Sequence, residues 1–133
     1  MIVLDASLLA NVVGDDGPAG IAARSRLAAA GQASVPDLAD VETVSVLRNR
    51  WVAGTLPEFR FRQAIDDLVA LPIVRFPTAP LMVRAFELRA NVTAYDACYV
   101  AVAEALACVL VTGDERLARA TGPLCRIEIL RLD

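Results

Sequence analysis

Two aspartates each follow a short apolar run, and the two runs lie at opposite ends of the chain. Asp5 follows residues 2–4, and Asp114 comes just after residues 108–112. If both runs are neighbouring strands of a parallel sheet, their carboxyl ends meet at one crevice, and the two carboxylates face each other there. Aspartate is also a favoured helix N-cap, so a structural role as a cap is the alternative for each residue.

A third carboxylate lies on a predicted helix. Glu42 falls in the first turns of a helix predicted over residues 38–53, and Ser45 and Asn49 lie on its face because they follow at helical spacing. This polar stripe either faces a functional crevice or is simply the solvated side of the helix.

The fourth carboxylate begins the most apolar helix. Asp96 ends the sequence Thr-Ala-Tyr-Asp, and its helical neighbours Tyr99, Val100 and Ala103 are aromatic or aliphatic. A carboxylate on a face that becomes buried is costly unless it is paired or binds a cation. The alternative is a capping box in which Thr93 is the cap and Asp96 reaches back to it.

The composition excludes several kinds of catalysis. The 133 residues contain no histidine and no lysine, and all 13 basic residues are arginines. Histidine-assisted nucleophiles, a P-loop lysine and a Schiff-base lysine are therefore absent. The three cysteines are odd in number and have no CxxC spacing, which favours reduced thiols over a zinc site. The net charge of −3 argues against broad nonspecific binding to nucleic acid. Any chemistry must therefore rest on carboxylates and a hard metal ion.

Strands and helices alternate along the sequence. Strands are predicted at 2–4, 33–35, 72–76, 108–112 and 126–130, with helices at 7–13, 19–30, 38–53, 57–70, 80–90, 94–106 and 115–120 and a turn at 14–18. This alternation predicts an α/β fold, a mainly parallel sheet covered on both faces, and a single domain over residues 1–133.

No segment of the sequence is typical of a membrane protein. The longest apolar run, 97–111, is interrupted by Glu104 and is too short to span a bilayer. Met1 leads directly into a strand without a basic leader. We therefore expect a cytoplasmic protein with no membrane association.

Four motifs in order resemble the PIN-domain family, and within it the VapC toxins of bacterial type II toxin–antitoxin pairs. They are MIVLDAS at the start, Glu42 on a helix that continues into Val-Leu-Arg, Thr-Ala-Tyr-Asp-Ala opening an apolar helix, and Leu-Val-Thr-Gly-Asp-Glu-Arg-Leu. The resemblance implies a three-layer α/β/α sandwich and a ribonuclease that depends on Mg²⁺ or Mn²⁺. The family's acidic quartet corresponds to Asp5, Glu42, Asp96 and Asp114, with supporting side chains at Ser7, Thr112 and either Ser45 or Asn49. Glu115 and Arg116 stand where some members carry a fifth acid.

The resemblance also implies a reaction and partners. A water activated by the metal would attack the phosphodiester and leave a 5′-phosphate, and a VapB-type antitoxin would inhibit the toxin, which forms homodimers. RNA phosphates require arginine contacts, for which the candidates are Arg48, Arg50 and Arg116, with Arg60 and Arg62 nearby in sequence. Solvated helix charges are the alternative for all five. Trp51 and Phe59 either stack on bases or belong to the core or an interface.

Two other classes of protein remain open. One is a phosphohydrolase or receiver-like α/β domain with an acidic Mg²⁺ pocket, although such proteins rely on a lysine, and dehalogenase-type phosphatases need a second Asp where Ser7 stands. The other is a catalytically silent PIN fold that only binds. The presence of all four acids argues against this silent form.

Overall fold

A five-stranded parallel sheet forms the centre of the computed structural model, which describes residues 1–131. Its strands are β1 (Ile2–Leu4), β2 (Ala33–Pro36), β3 (Val74–Phe76), β4 (Val109–Thr112) and β5 (Ile127–Ile129). They lie in the order β3-β2-β1-β4-β5, and every neighbouring pair is parallel. The predicted α/β class with a parallel sheet is confirmed.

Seven α-helices connect the strands in these residues. They are α1 (Ala6–Gly14), α2 (Pro18–Ala30), α3 (Leu38–Val52), α4 (Glu58–Ala70), α5 (Met82–Glu87), α6 (Ala94–Leu106) and α7 (Glu115–Ala118). The single helix predicted at 80–90 is wrong. A 3-10 helix at Ala79–Leu81, closed by a bond from Leu81 N to Thr78 O, precedes the shorter α5 instead.

The turn predicted at 14–18 starts too early, because Gly14 is the last residue of α1. A Cβ atom at this position would lie 2.6 Å from Cδ2 of Leu47 on α3, which is closer than side chains tolerate. The glycine therefore allows α1 and α3 to pack closely, and it does not break the helix there. This matters for the site because α1 and α3 carry side chains that face the same cleft.

The central strand β1 is buried on both faces. Successive side chains of a strand point to opposite faces of the sheet, yet Ile2, Val3 and Leu4 are all at most 3% exposed. Helices must therefore cover both faces, as in an α/β/α sandwich. A second apolar cluster, which includes Leu47 and Leu68, joins α1 to α3 and α4.

The C-terminal end of α1 is fixed by an arginine of the next helix. Nη1 of Arg24 donates to the carbonyl oxygens of Asp15 and Val12, at 2.8 and 3.1 Å. The last carbonyl groups of a helix have no partner within the helix and carry partial negative charge, so a guanidinium stabilises them. The orientation of α1, which begins next to Asp5, is therefore set at both ends.

The order of the strands reverses at β1. The chain runs from β1 through β2 to β3 on one side and then places β4 and β5 on the other side. Crevices for ligands form outside the carboxyl ends of the strands at such a switch point. Leu4 of β1 is paired with Val111 of β4, so the residues after these strands are neighbours. In residues 1–131, no helix combines the length and the apolar character needed to cross a bilayer.

Candidate active site

Four carboxylates line one cleft at the switch point. They are Asp5, Glu42, Asp96 and Asp114, and the cleft, referred to below as the acid cleft, has a volume of about 240 Å³. Ser7, Ser45 and Tyr99 also line it. Residues from the β1–α1 junction, α3, α6 and the β4–α7 junction thus meet although they lie far apart in sequence.

Asp5 combines a helix cap with a place in the cleft. Its Oδ1 accepts a hydrogen bond from Leu8 N at 2.9 Å, which caps α1, and its Oδ2 accepts a short hydrogen bond from the Thr112 hydroxyl. Oγ1 of Thr112 in turn accepts from Asp114 N at 3.0 Å. Thr112 is fully buried. This chain of hydrogen bonds links the ends of β1 and β4 and orients the Asp5 carboxylate.

Asp96 and Asp114 lie where helices begin. Thr93 Oγ1 accepts from Asp96 N at 3.1 Å, which is one half of the predicted capping box. Asp114 Oδ1 accepts from Arg116 N at 2.8 Å and caps α7. The structural alternative is therefore correct as a description of local bonding, but it does not exclude function, because both carboxylates also line the cleft.

Tyr99 is a site residue that the sequence reasoning missed. Its hydroxyl donates to Glu42 Oε1 at 2.8 Å, and its side chain is only 1% exposed. Tyr99 follows Asp96 by three positions, so both lie on one face of α6. That spacing is the available signal in the sequence, but it marks the ring only as an aromatic neighbour of Asp96 and not as a donor to Glu42.

Burial and crowding raise the pKa of three of the four carboxyls. Burial is the main cause for the raised pKa of Asp5, opposed by the hydrogen bonds from Thr112 and Leu8, and Asp96 adds repulsion. The pKa of Glu42 is raised by burial and then by Asp96 and Asp5, while the Tyr99 hydroxyl lowers it. For Asp96, burial and Asp114 raise the pKa, and Thr93 and Arg116 partly offset them. The cluster is therefore strained electrostatically without a cation.

The donor set of the cleft fits a hard divalent cation. Mg²⁺ takes oxygen ligands, keeps several waters and needs only one or two carboxylates in direct contact. Among residues 1–131, no three acidic or thiol side chains already stand close enough to enclose an ion by themselves. An ion in this cleft would therefore contact some of the carboxylates directly and others through waters.

Some of the supporting and basic residues predicted from the sequence line the acid cleft, and the others lie outside it. Ser7 and Ser45 line the acid cleft, whereas Asn49 and Arg48 are exposed and do not line it. Arg50 donates to Asn11 Oδ1 at 2.6 Å. Arg60 and Arg62 form ion pairs with Asp16 and Asp66. Arg116 lines a second cleft that shares Asp96 with the first.

The two aromatic side chains considered for base stacking lie outside the acid cleft. Trp51 and Phe59 are 43% and 76% exposed, so neither is a core residue, and neither lines the acid cleft. All three cysteines are free thiols, as the sequence predicted.

Comparison with known proteins identifies the family. The PIN domain model matches residues 2–123, so the chain belongs to the PIN-domain family. It is 40% identical over 130 residues to "VapC ribonuclease Mb0985" of Mycobacterium bovis, covering 98% of each chain. It is 37% identical to "Ribonuclease VapC1" of Mycobacterium tuberculosis, covering 97% of each chain. The crystal structure of PAE2754 from Pyrobaculum aerophilum superposes with a TM-score of 0.60 at 22% identity, covering 95% of this chain and 87% of that one, and supports the fold.

Proposed function

We propose that this protein is an endoribonuclease of the VapC type that requires Mg²⁺ or Mn²⁺ and acts as the toxin of a toxin–antitoxin pair. The observation that carries the proposal is the meeting of Asp5, Glu42, Asp96 and Asp114 in one cleft at the switch point of a PIN fold. The names of the full-length relatives support ribonuclease activity.

Each residue of the site has a proposed role. Asp5, Asp96, Asp114 and Glu42 would hold the ion directly or through water, and when bound it supplies Lewis-acid stabilisation of the phosphodiester and lowers the pKa of water. Thr112 keeps the Asp5 carboxylate aimed at the cleft, and Tyr99 does so for Glu42. Ser7 and Ser45 add hydroxyl groups for the substrate or ordered water. Hydrolysis by water would leave a 5′-phosphate and a 3′-hydroxyl.

RNA cleavage is expected to depend on a divalent cation. The purified chain should cleave single-stranded RNA in Mg²⁺ or Mn²⁺, lose the activity in EDTA and regain it when excess metal is restored. Labelled products separated on a gel, with their end groups tested by a 5′-phosphate-dependent exonuclease, measure this outcome. Cleavage that persists in EDTA, or products with 2′,3′-cyclic phosphate, would contradict the proposed chemistry.

Tyr99→Phe is expected to shift the acidic limb of the pH–rate profile to higher pH. The variant removes the hydrogen bond that lowers the pKa of Glu42, so this carboxyl holds its proton to a higher pH. Rates measured from about pH 5 to 9 at a Mn²⁺ concentration below saturation, where protons compete with the ion for Glu42, test the shift. Tyr95→Phe is the matched control, because Tyr95 lies one turn away and is 65% exposed. Superimposable profiles for the two variants would show that Tyr99 has only a packing role.

We further propose the partners and setting that the VapC resemblance implies. A VapB-type antitoxin would inhibit the toxin by placing a cationic side chain, most simply an arginine, among the carboxylates, where its fork can bridge two of them. We propose that the protein acts in the cytoplasm as a homodimer and that each chain forms a single domain over residues 1–133. Co-expression with the adjacent small gene, followed by a pull-down and an activity assay, tests the inhibitor. A chain that no neighbouring product silences would not be a toxin of this kind.

A further inference from the structure

A second cleft adjoins the acid cleft and differs from it in charge. It has a volume of about 290 Å³ and shares Asp96 with the acid cleft. Its walls include Arg89 and Asn91, from the segment between α5 and α6, and Arg116 of α7, while Leu117 contributes to an apolar floor. We refer to it as the arginine cleft. In the described part of the chain, the side chains that line the acid cleft include no cation.

Arg89 is held in position yet keeps donors free. Its guanidinium carbon lies 4.0 Å from the centre of the Phe86 ring, and Nη1 donates to Phe86 O at 2.9 Å. Within residues 1–131, no carboxylate oxygen lies within 4 Å of its guanidinium nitrogens. A guanidinium has five N–H donors in a fixed fork, so most of them remain available for a phosphate.

Arg116 is also available on the opposite side of the arginine cleft. Its side chain is 86% exposed, and its closest carboxylate contact is a loose 3.9 Å to Asp114 Oδ2. It is near enough to Asp96 to lower the pKa of that carboxyl. Arg116 therefore lines the arginine cleft within electrostatic range of Asp96, where it could contact a phosphate next to the one being cleaved.

A third cleft shares Asp5, Ser7 and Asp114 with the acid cleft, and none of the described side chains lining it is basic. The Arg50 guanidinium donates to Asn11 of this lining but does not itself line the cleft. A polyanion crossing four carboxylates needs cations for its neighbouring phosphates, since electrostatic contacts with phosphates dominate affinity for nucleic acid. Of the two flanking clefts, the arginine cleft meets that need.

We infer that the arginine cleft is a nucleotide subsite that holds the RNA strand beside the scissile bond, with Arg89 and Arg116 on the flanking phosphate. The apolar floor at Leu117 and Val92, which are 4% and 6% exposed, would support the ribose or base of that nucleotide. This inference rests on the proposed nuclease function, but it concerns binding and can be measured without cleavage.

The test is RNA binding by the Asp5→Asn protein in Mn²⁺. The Asp5→Asn substitution is used because it is expected to suppress cleavage of the probe. The probe is a fluorescein-labelled single-stranded RNA of mixed sequence, about twelve nucleotides long, followed by anisotropy over a range of salt concentrations. Arg89→Gln in this background should weaken binding by roughly five- to tenfold, as expected when a charge-assisted hydrogen bond is removed. The slope of log affinity against log salt should fall by about 0.7 for each phosphate that the protein no longer neutralises.

Arg126→Gln is the matched control. It removes the same charge from an exposed arginine that precedes β5. Arg126 therefore lies at the amino ends of the parallel strands, whereas the site lies at their carboxyl ends. Thermal melts check that both variants fold. A second readout uses the same RNA carrying 4-thiouridine, which on irradiation should crosslink to peptides containing residues 89–93 or 116–120.

The possible outcomes separate the subsite from the nuclease. Equal affinities and salt slopes for Arg89→Gln and Arg126→Gln, or crosslinks only outside those peptides, overturn the subsite even if the wild type cleaves RNA. A selective loss of affinity in Arg89→Gln supports it even if the wild type cleaves nothing, in which case only the nuclease proposal fails. Absence of all RNA binding overturns the subsite directly.

Discussion

Asp5→Asn is expected to reduce RNA cleavage by at least about a hundredfold while leaving the metal-free protein as stable as the wild type or more stable. The loss of activity follows because the variant removes a carboxylate from the proposed metal site, and Lewis-acid stabilisation is worth several kcal/mol of the barrier. Asparagine keeps the shape of the side chain and caps helices as well as aspartate, so the bond to Leu8 N is retained. Initial rates in Mn²⁺ and thermal melts in EDTA measure the two effects.

The stability effect of this variant should depend on pH. The pKa of Asp5 is raised in the folded protein, so the folded state binds protons more readily than the unfolded chain, and the ionised carboxylate costs stability. The cost is complete above the raised pKa and disappears as pH falls towards the unfolded value of 3.8. The gain from Asp5→Asn should therefore be largest near pH 8 and shrink towards pH 4.

Asp67→Asn provides the control for both effects, because Asp67 is an exposed residue of α4 that does not line the acid cleft. It should leave cleavage unchanged. If Asp5→Asn melted well below the wild type in EDTA at pH 8, the bond of the carboxylate with Thr112 would outweigh the cost of the charge. Asp5 would then be mainly a structural residue.

Binding of Mn²⁺ or Mg²⁺ is expected to raise the free energy of unfolding by roughly 2.7 kcal/mol when the ion is at a hundredfold excess over its dissociation constant. The cation would offset the burial and the mutual repulsion that now raise the pKa values of Asp5, Glu42 and Asp96. The Asp96→Asn protein should gain clearly less stability from the ion. The substitution removes the carboxylate whose charge raises the pKa of both Asp5 and Glu42. Denaturant titrations in EDTA and in Mn²⁺ at pH 7.5 give the difference directly.

The same titrations in Asp67→Asn should reproduce the full wild-type gain. An equal gain in Asp96→Asn would mean that the ion binds elsewhere on the acidic surface, since the net charge of −3 attracts cations generally. If the free energy of unfolding of the wild type did not rise at any metal concentration, the proposed metal site would be ruled out. Both results concern binding alone and do not depend on finding the correct RNA.

The sheet and the strand-end aspartates Asp5 and Asp114 leave local signals in the sequence, whereas the assignment of Glu42 to the same group came from the resemblance to the PIN-domain family. A buried run that ends on an aspartate is visible without knowledge of the fold, and the order of strands and helices then places such ends together. The partners of the acids were harder to predict, since Tyr99 and Glu42 lie on different helices and are 57 positions apart. Their pairing depends on how α3 and α6 pack, which no local pattern contains.

The errors have the same origin. Glycine is typical of turns, but Gly14 serves to allow the close approach of Leu47 from α3, which is a tertiary contact. Arg60 and Arg62 were candidates for phosphate contacts, and their ion pairs with Asp16 before α2 and Asp66 of α4 appear only in the structure. Arg89 has ordinary neighbours in the sequence, and only the fold brings it near Asp96.

The pairing of β1 with β4 has a consequence for when the site can assemble during translation. Asp5 emerges among the first residues, but Thr112, which orients it, and Asp114, which shares its cleft, are made more than a hundred residues later. Closing so long a loop is slow compared with forming local helices. A nascent chain that stops before β4 therefore carries Asp5, Glu42 and Asp96 without the strand that assembles them. Any activity that needs the assembled acid cleft would therefore appear only after β4 has been translated and has paired with β1.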